Sequence, residues 1–436
     1  MPRDQVVRSG FVYLGQFIAH DISRELGPLA EAGPETERTW NYRSPRLDLE
    51  VLYGGTPATT PYLYESDGRL KLGLTEPSEE FPAAADDLPR DAEGNALVHD
   101  PRSDDNLLIA QIHVLWAKIH NRVCDLLTEQ PTLVAAPESA TLFEQARRFV
   151  TWHYQWIVRH ELLPLIVPHA TLREIECDGL RLFPRTYTSG DAPIALPIEF
   201  TLAAFRFGHA MVRADYFLNP VARIVEAVEL ITLTGRAGGI LARLPARFAI
   251  SWPRFFGGSN ALVNRGESID TFITPALYDF HALAPTAPGK LIPSLPEMTL
   301  RRGSRTRLPS GQEFARHFGY PELTPDSIAA RPEDQAFFRE SGLRERTPLW
   351  YYLLREAALE GVYEAEPDGR HKVQKMGPIG GRIVAETFYQ ILNADADSIV
   401  HAGKSWRPPA FIFGDFDGMR KLESMQEIAR FADPGR

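Results

Sequence analysis

A chain of 436 residues with 44% hydrophobic, 24% charged and 10% aromatic residues has the balance of a folded globular protein, which excludes disordered, collagen-like and coiled-coil classes. Its 47 basic and 57 acidic residues leave a net charge of -10, the wrong sign for coating nucleic acid or an anionic membrane. Two cysteines, Cys124 and Cys177, are too few for a disulfide scaffold and lack the paired spacing of a zinc or iron–sulfur site. No run of ~18 apolar residues predicts a membrane span, and the first residues lack the apolar core of a secretory signal. The expectation is a soluble cytoplasmic protein as written, or a secreted one if a leader precedes this sequence.

Taken in chain order, the first informative segment is Gly15-Gln16-Phe17-Ile18-Ala19-His20-Asp21. On a helix, Gln16 and His20 lie four apart and share one face amid apolar neighbours, while Asp21 points elsewhere. Such a pair is either a core histidine satisfied by a glutamine or a polar pair facing a ligand. Next, Asp100-Pro101-Arg102-Ser103-Asp104-Asp105-Asn106 puts acids in a first helical turn, where the macrodipole favours them. Arg102 is unfavourable beside a positive helix end unless it faces an anion or a cavity. Leu107, Ile109, Ile112, Leu115, Ile119 and Val123 recur at three- and four-residue steps, predicting a helix from Asn106 to Leu127. His113 and His120 on it read as packing or surface residues.

Further helices are predicted from Ser139 to Leu163, Phe200 to Tyr216, Val221 to Thr234, Pro348 to Glu360 and Gly380 to Leu392. The Phe200 to Tyr216 segment contains Phe205-Arg206-Phe207-Gly208-His209. A glycine there gives up roughly 1 kcal/mol of helix propensity relative to alanine, which suggests that something bulky, such as a flat cofactor, approaches the backbone. Arg206 and His209 would share a face, as an anion-binding arginine and an axial ligand could; a packed helix with an incidental histidine is the alternative. The cluster Met298 to Pro309, with Arg301, Arg302, Arg305 and Arg307, reads as a solvated loop or as a counter-charge for an anionic ligand. Gly27 to Pro45, Glu76 to Asp105 and Ala284 to Gly303 read as long irregular connections, which commonly serve a site. Strand-like alternation is scarce, and neither an internal repeat nor a flexible linker occurs. The expected fold class is mainly α, a single large helical domain over 1–436 with long loops and little β.

These segments together, with Ile112-His-Val-Leu-Trp-Ala-Lys-Ile-His-Asn121-Arg and Gly377-Pro-Ile-Gly-Gly-Arg382, resemble the animal-type haem peroxidase (peroxidase–cyclooxygenase) superfamily, in its bacterial branch. They occur in the family's order across nearly the whole chain. The resemblance implies haem between a distal and a proximal helix, with His20 as distal histidine, Gln16 its companion, Arg102 the distal arginine and His209 the ligand to the haem iron. Arg206 and Arg302 match propionate-binding arginines. Asp21 matches a calcium ligand, and Ser44, the Arg46 carbonyl, Asp48 and Glu50 match the loop completing that Ca2+ site, although Glu50 stands where a serine is common. Ala19 removes one covalent haem link, Asp105 could form the other ester through a side chain one methylene shorter than the usual glutamate, and Asn106 excludes a sulfonium link. Largely non-covalent haem b is therefore expected. Thr299 falls where the proximal histidine's asparagine partner normally lies.

The activity implied is peroxidase: cleavage of hydrogen peroxide, as in the response to oxidative stress, with oxidation of a small halide, pseudohalide or phenolic donor. Two alternatives are a fatty-acid dioxygenase of the same superfamily, disfavoured because Arg206 stands where those enzymes carry a radical-forming tyrosine, and a degenerate haem-binding protein. The donor and the oligomeric state are not legible.

Overall fold

A computed structural model describes residues 6–24, 41, 43–133, 139–182, 196–221, 224–234, 243–258, 262–278, 294–366, 369, 371–402, 406–413 and 419–434. The fold is mainly α, as expected, and its described strands form three two-stranded antiparallel ladders: Gly73–Leu74 with Asp86–Asp87, Asp215–Phe217 with Ile224–Glu226, and Tyr363–Ala365 with Lys372–Gln374.

The Leu107–Glu129 helix is the axis of the packing. Its first turn is closed by the Asn106 side chain, which accepts a hydrogen bond from the Ile109 N–H at 3.0 Å and so satisfies one of the orphan donors of a helix start. Every residue from Leu107 to Ala117 is buried, so this half of the helix is enclosed on all sides. The Ser9–Ile22, Leu142–Ile157 and Met425–Ala432 helices pack on it. Leu142–Ile157 begins with a capping box in which Thr141 and Glu144 exchange hydrogen bonds, the pattern expected of Thr followed three residues later by Glu. It runs into a π turn, Val158–Leu162, before Leu163–Ile166. Pro164 accounts for the widened turn: it has no N–H to donate and its ring crowds the preceding carbonyls.

The Leu349–Glu360 and Pro378–Ala394 helices pack together as a second pair. Glu356 joins them, its carboxylate accepting the N–H groups of Ile379 and Gly380, each at 3.1 Å, at the start of the second helix. One apolar cluster extends from Val7 to Ala432 and includes residues of all these helices.

Three expectations are corrected. Phe200 to Tyr216 is not one helix: Ile198–Leu202 is α, Ala204–His209 is 3-10, and Asp215–Phe217 is a strand. Ala203, with φ -135° and ψ -72°, lies outside the α region and breaks the helical run. Ala284 to Gly303 is not wholly irregular either, because Leu295–Arg305 is a helix. Ser294 caps it, accepting from the Glu297 N–H at 3.3 Å, so the arginine cluster sits mostly on a helix. The predicted segment Val221 to Thr234 divides into the Ile224–Glu226 strand and the Ala227–Thr232 helix. Most of Gly27 to Pro45 lies outside the described residues. Among the described residues no helix is long and apolar enough to cross a membrane.

Close packing makes one position critical. A Cβ at Gly311 would lie 1.9 Å from Cγ of Tyr352, a fully buried ring whose hydroxyl accepts the Leu323 N–H at 2.8 Å. Gly311→Ala is expected to cost roughly 1–3 kcal/mol by overpacking. Urea unfolding monitored by circular dichroism checks this, and an unchanged midpoint would contradict it.

Candidate functional site

The Ser9–Ile22 helix, the Pro101–Asp105 segment, the π turn with its following helix, and the Phe200–Val212 stretch enclose a cavity of about 530 Å³. Its wall is largely apolar, with Phe11, Leu162, Ile166, Phe205 and Leu230 among the lining residues. Six of the polar residues singled out in the sequence share that wall: Gln16, His20, Arg102, Asp105, Arg206 and His209. The two histidines are 189 positions apart in sequence and the fold brings both to one void.

Arg102 reaches the wall from a 3-10 turn, Pro101–Asp104, capped by Asp100, whose Oδ1 accepts the Arg102 N–H at 2.9 Å. The guanidinium donates to the His20 carbonyl at 3.0 Å and the Ser23 carbonyl at 2.8 Å, and to Asp100 through Nε and Nη2. It therefore fastens the C-terminal end of the His20 helix. Its Nη1 has no protein partner among the described residues. Asn106, besides capping the next helix, approaches the Gln16 side-chain oxygen with its amide nitrogen at 3.4 Å. Asn106 was noted in the sequence only for the linkage it excludes; its contact with Gln16 could not be read from spacing, because 90 residues separate them.

On the opposite segment, His209 is half-buried on the cavity wall, and desolvation with the nearby Arg206 charge pushes its pKa down to about 3. The imidazole is neutral at working pH, the form that ligates a metal. Its Nδ1 is buried and has no hydrogen-bond partner among the described residues. Thr299 does not supply one: its hydroxyl donates to the Leu295 carbonyl at 2.9 Å, one turn back in its own helix. Trp350 sets the ring instead, lying edge-on at 6.0 Å between centroids and donating its indole N–H to the Arg206 carbonyl at 3.2 Å. Arg206 donates Nε to the Thr201 carbonyl at 2.9 Å, and burial pushes its pKa down to about 10. A half-buried cation without a carboxylate beside it among the described residues suits an anionic ligand. Arg302 is half-buried on the Leu295–Arg305 helix; Leu295 of that helix reaches the cavity wall and Arg302 does not. An added Cβ at Gly208 or Gly15, both on the wall, would meet nothing within 4 Å, so both keep open the space a flat ligand needs.

The residues expected to bind a cation are only partly assembled. Asp21 is fully buried and its oxygens accept the Leu49 and Val51 N–H groups at 3.2 and 3.1 Å. Burial, and then the nearby Asp48 charge, raise its carboxyl well above the usual range, and Asp48 is raised in turn, chiefly by burial. Ser44 and Arg46 are exposed on the same loop. Glu50 Oε1 is ion-paired with Arg43 at 2.6 Å. Among the described residues no group of three or more histidine, cysteine or acidic side chains is arranged to hold a metal ion. His113 and His120 are packing residues, as expected. His113 contacts Ser103 at 3.2 Å and His120 contacts the Tyr53 hydroxyl at 3.1 Å, and burial pushes both pKa values down to about 4.

Residues 19–234 match the family model for animal haem peroxidase. The chain is 24% identical over 306 residues to peroxinectin A of Dictyostelium discoideum, covering 66% of this chain and 51% of that protein. It is 27% identical over 191 residues to chorion peroxidase of Drosophila melanogaster, covering 42% and 23% respectively; the matches thus span about half of the first relative's length and about a quarter of the second's. Among solved structures, peroxidase A from Dictyostelium discoideum superimposes with a TM-score of 0.58 at 18% identity over 91% of this chain and 81% of that one. A fatty acid alpha-dioxygenase of Oryza sativa gives 0.56 at 15% identity over 91% and 70%, a likeness of fold alone. With its helical fold, its cavity lined by remote histidines and this family match, the chain carries an animal haem peroxidase domain over residues 19–234, and its relatives and structural neighbours lie in the peroxidase–cyclooxygenase superfamily.

Proposed function

We propose that this chain is a hydrogen-peroxide-dependent peroxidase that holds haem b in the cavity between His20 and His209 and oxidises small halide, pseudohalide or phenolic donors. The observation that carries this reading is the sharing of one cavity by both imidazoles, Gln16 and Arg102. The void, the two glycines that keep it open and the neutral His209 fit a flat iron porphyrin. His209 would ligate the iron and Arg206 would meet a carboxylate, while Arg302, on the neighbouring helix behind the wall, would add positive charge nearby.

When bound, haem supplies an iron centre able to take up the oxidising equivalents of peroxide. The chain's residues manage the proton and the charge. Neutral His20 accepts a proton from hydrogen peroxide and returns it to the departing oxygen, so that water leaves. Arg102 stabilises the negative charge that develops as the O–O bond breaks. Gln16, with Asn106 beside it, orients the peroxide. Arg206, which forms no radical comparable to a tyrosine's, favours peroxidase over dioxygenase chemistry. Asp105, on the wall, is the position available for an ester to haem; Asp21 and Asp48, with the Ser44 hydroxyl and Arg46 carbonyl, are the proposed donors to Ca2+, because two desolvated carboxyls at one place favour a hard cation.

Three measurements check this. Replacing His20 with alanine should slow the peroxide-consuming step by roughly 10²-fold or more in stopped flow; an unchanged rate would remove His20 from the mechanism, and absence of that step in the parent protein would favour a degenerate haem-binding role. Acidified ketone should extract essentially all haem, and retention that disappears in Asp105→Asn would establish an ester. Chelation by EGTA should lower the melting temperature if Asp21 and Asp48 hold calcium, whereas an unchanged melting curve with no calcium in the protein would exclude the ion.

A further inference from the structure

Behind Arg102 lies a chain of charges that no role assigned so far uses. Arg43 carries a guanidinium with 0% side-chain exposure. Its Nη1 donates to Glu50 Oε1 at 2.6 Å and its Nη2 to Asp100 Oδ2 at 2.7 Å. That Asp100 oxygen also accepts from Arg102, through Nη2 at 2.7 Å and Nε at 3.2 Å, while Asp100 Oδ1 accepts from Arg102 Nε at 3.1 Å. One carboxylate, 1% exposed, is thus shared by two guanidinium groups, and the second is balanced by the more exposed Glu50. Burial opposes ionisation of Asp100, but the bonds and charges of the two arginines prevail and hold its carboxyl well below the usual range.

This arrangement has a consequence at the cavity. A carboxylate bonded to a single arginine forms a neutral pair whose field a short distance away is weak. With Glu50 balancing Arg43 the four groups are neutral in sum, but sharing Asp100 with Arg43 leaves Arg102, the one at the wall, less completely offset than in a one-to-one pair. The fork of Arg43 also fixes where Asp100 stands, which fixes the angle at which Arg102 enters the void. The span from Arg43 to Asp100 is 57 residues, so the contact joins two segments remote in sequence.

We infer that Arg43 is a positioning residue: through Asp100 it sets the placement and the effective charge of Arg102 toward an anion or a polarised peroxide in the cavity. The inference rests on the proposed role of Arg102 above. It predicts a split between ligands according to charge. In haem-loaded Arg43→Gln, Asp100 is left to neutralise Arg102, and azide affinity measured from the Soret band should fall roughly tenfold, the loss of one charge-assisted contact. Carbon monoxide, which is neutral, should bind the reduced protein as in the parent chain. Arg43→Lys keeps the charge without the fork and should fall between the two; it also serves if the glutamine variant does not fold.

Wild-type azide affinity in either variant with the Soret band intact would overturn the inference alone. Equal weakening of azide and carbon monoxide would overturn it too, since that marks general disruption. A parent chain that takes up no haem would sink the reading of the cavity, and this inference with it.

Discussion

An apolar void lined by buried polar side chains is costly to build, and the fold is organised around bearing that cost. His209 and Arg206 are desolvated with no carboxylate among the described residues to offset them, and desolvation moves both away from their charged forms. Groups placed this way are tolerated where a ligand completes them. On the other wall the chain makes the opposite choice: Arg102 is bound to an aspartate and two carbonyls before any ligand arrives. One side is left open for coordination and carboxylate binding, and the other is preorganised for charge that develops during reaction.

The elements that hold this arrangement are those with the strongest local signals. The Leu107–Glu129 helix was legible from its apolar periodicity, and Leu349–Glu360 and Pro378–Ala394 nearly so to their ends. Their faces are buried against many partners, so period and burial coincide. The segment around His209 misled because an apolar run with helical spacing was broken at Ala203, a residue that carries no breaking signal by type. The Leu295–Arg305 helix was missed although Ser294, Pro296 and Glu297 carried a legible start signature; four arginines in a short stretch suggested a loop more strongly.

Site residues divide in the same way. His20, Gln16, Arg102, Arg206 and His209 were legible because short motifs carry them in a recognisable order. Arg43 and Trp350 were not, since their importance lies in contacts with Asp100, Glu50 and the Arg206 carbonyl that no spacing rule connects. Glu50 shows the limit of carrying a family pattern across position by position: a carboxylate in place of a serine hydroxyl finds a buried guanidinium. Thr299 shows the same limit, because its hydroxyl is already used by the carbonyl four residues back, a bond open to threonine in a helix and a poor substitute for a longer amide.

The central claim is that one cavity receives an iron porphyrin with His209 bonded to the metal and His20 across from it. Diffraction from crystals of the haem-loaded protein, collected at the iron absorption edge, tests it most directly. The account predicts a single strong iron peak in this cavity, bonded to an imidazole nitrogen of His209, with the His20 ring over the opposite face. Iron bound at another surface, or in the cavity with a ligand other than His209, would contradict it.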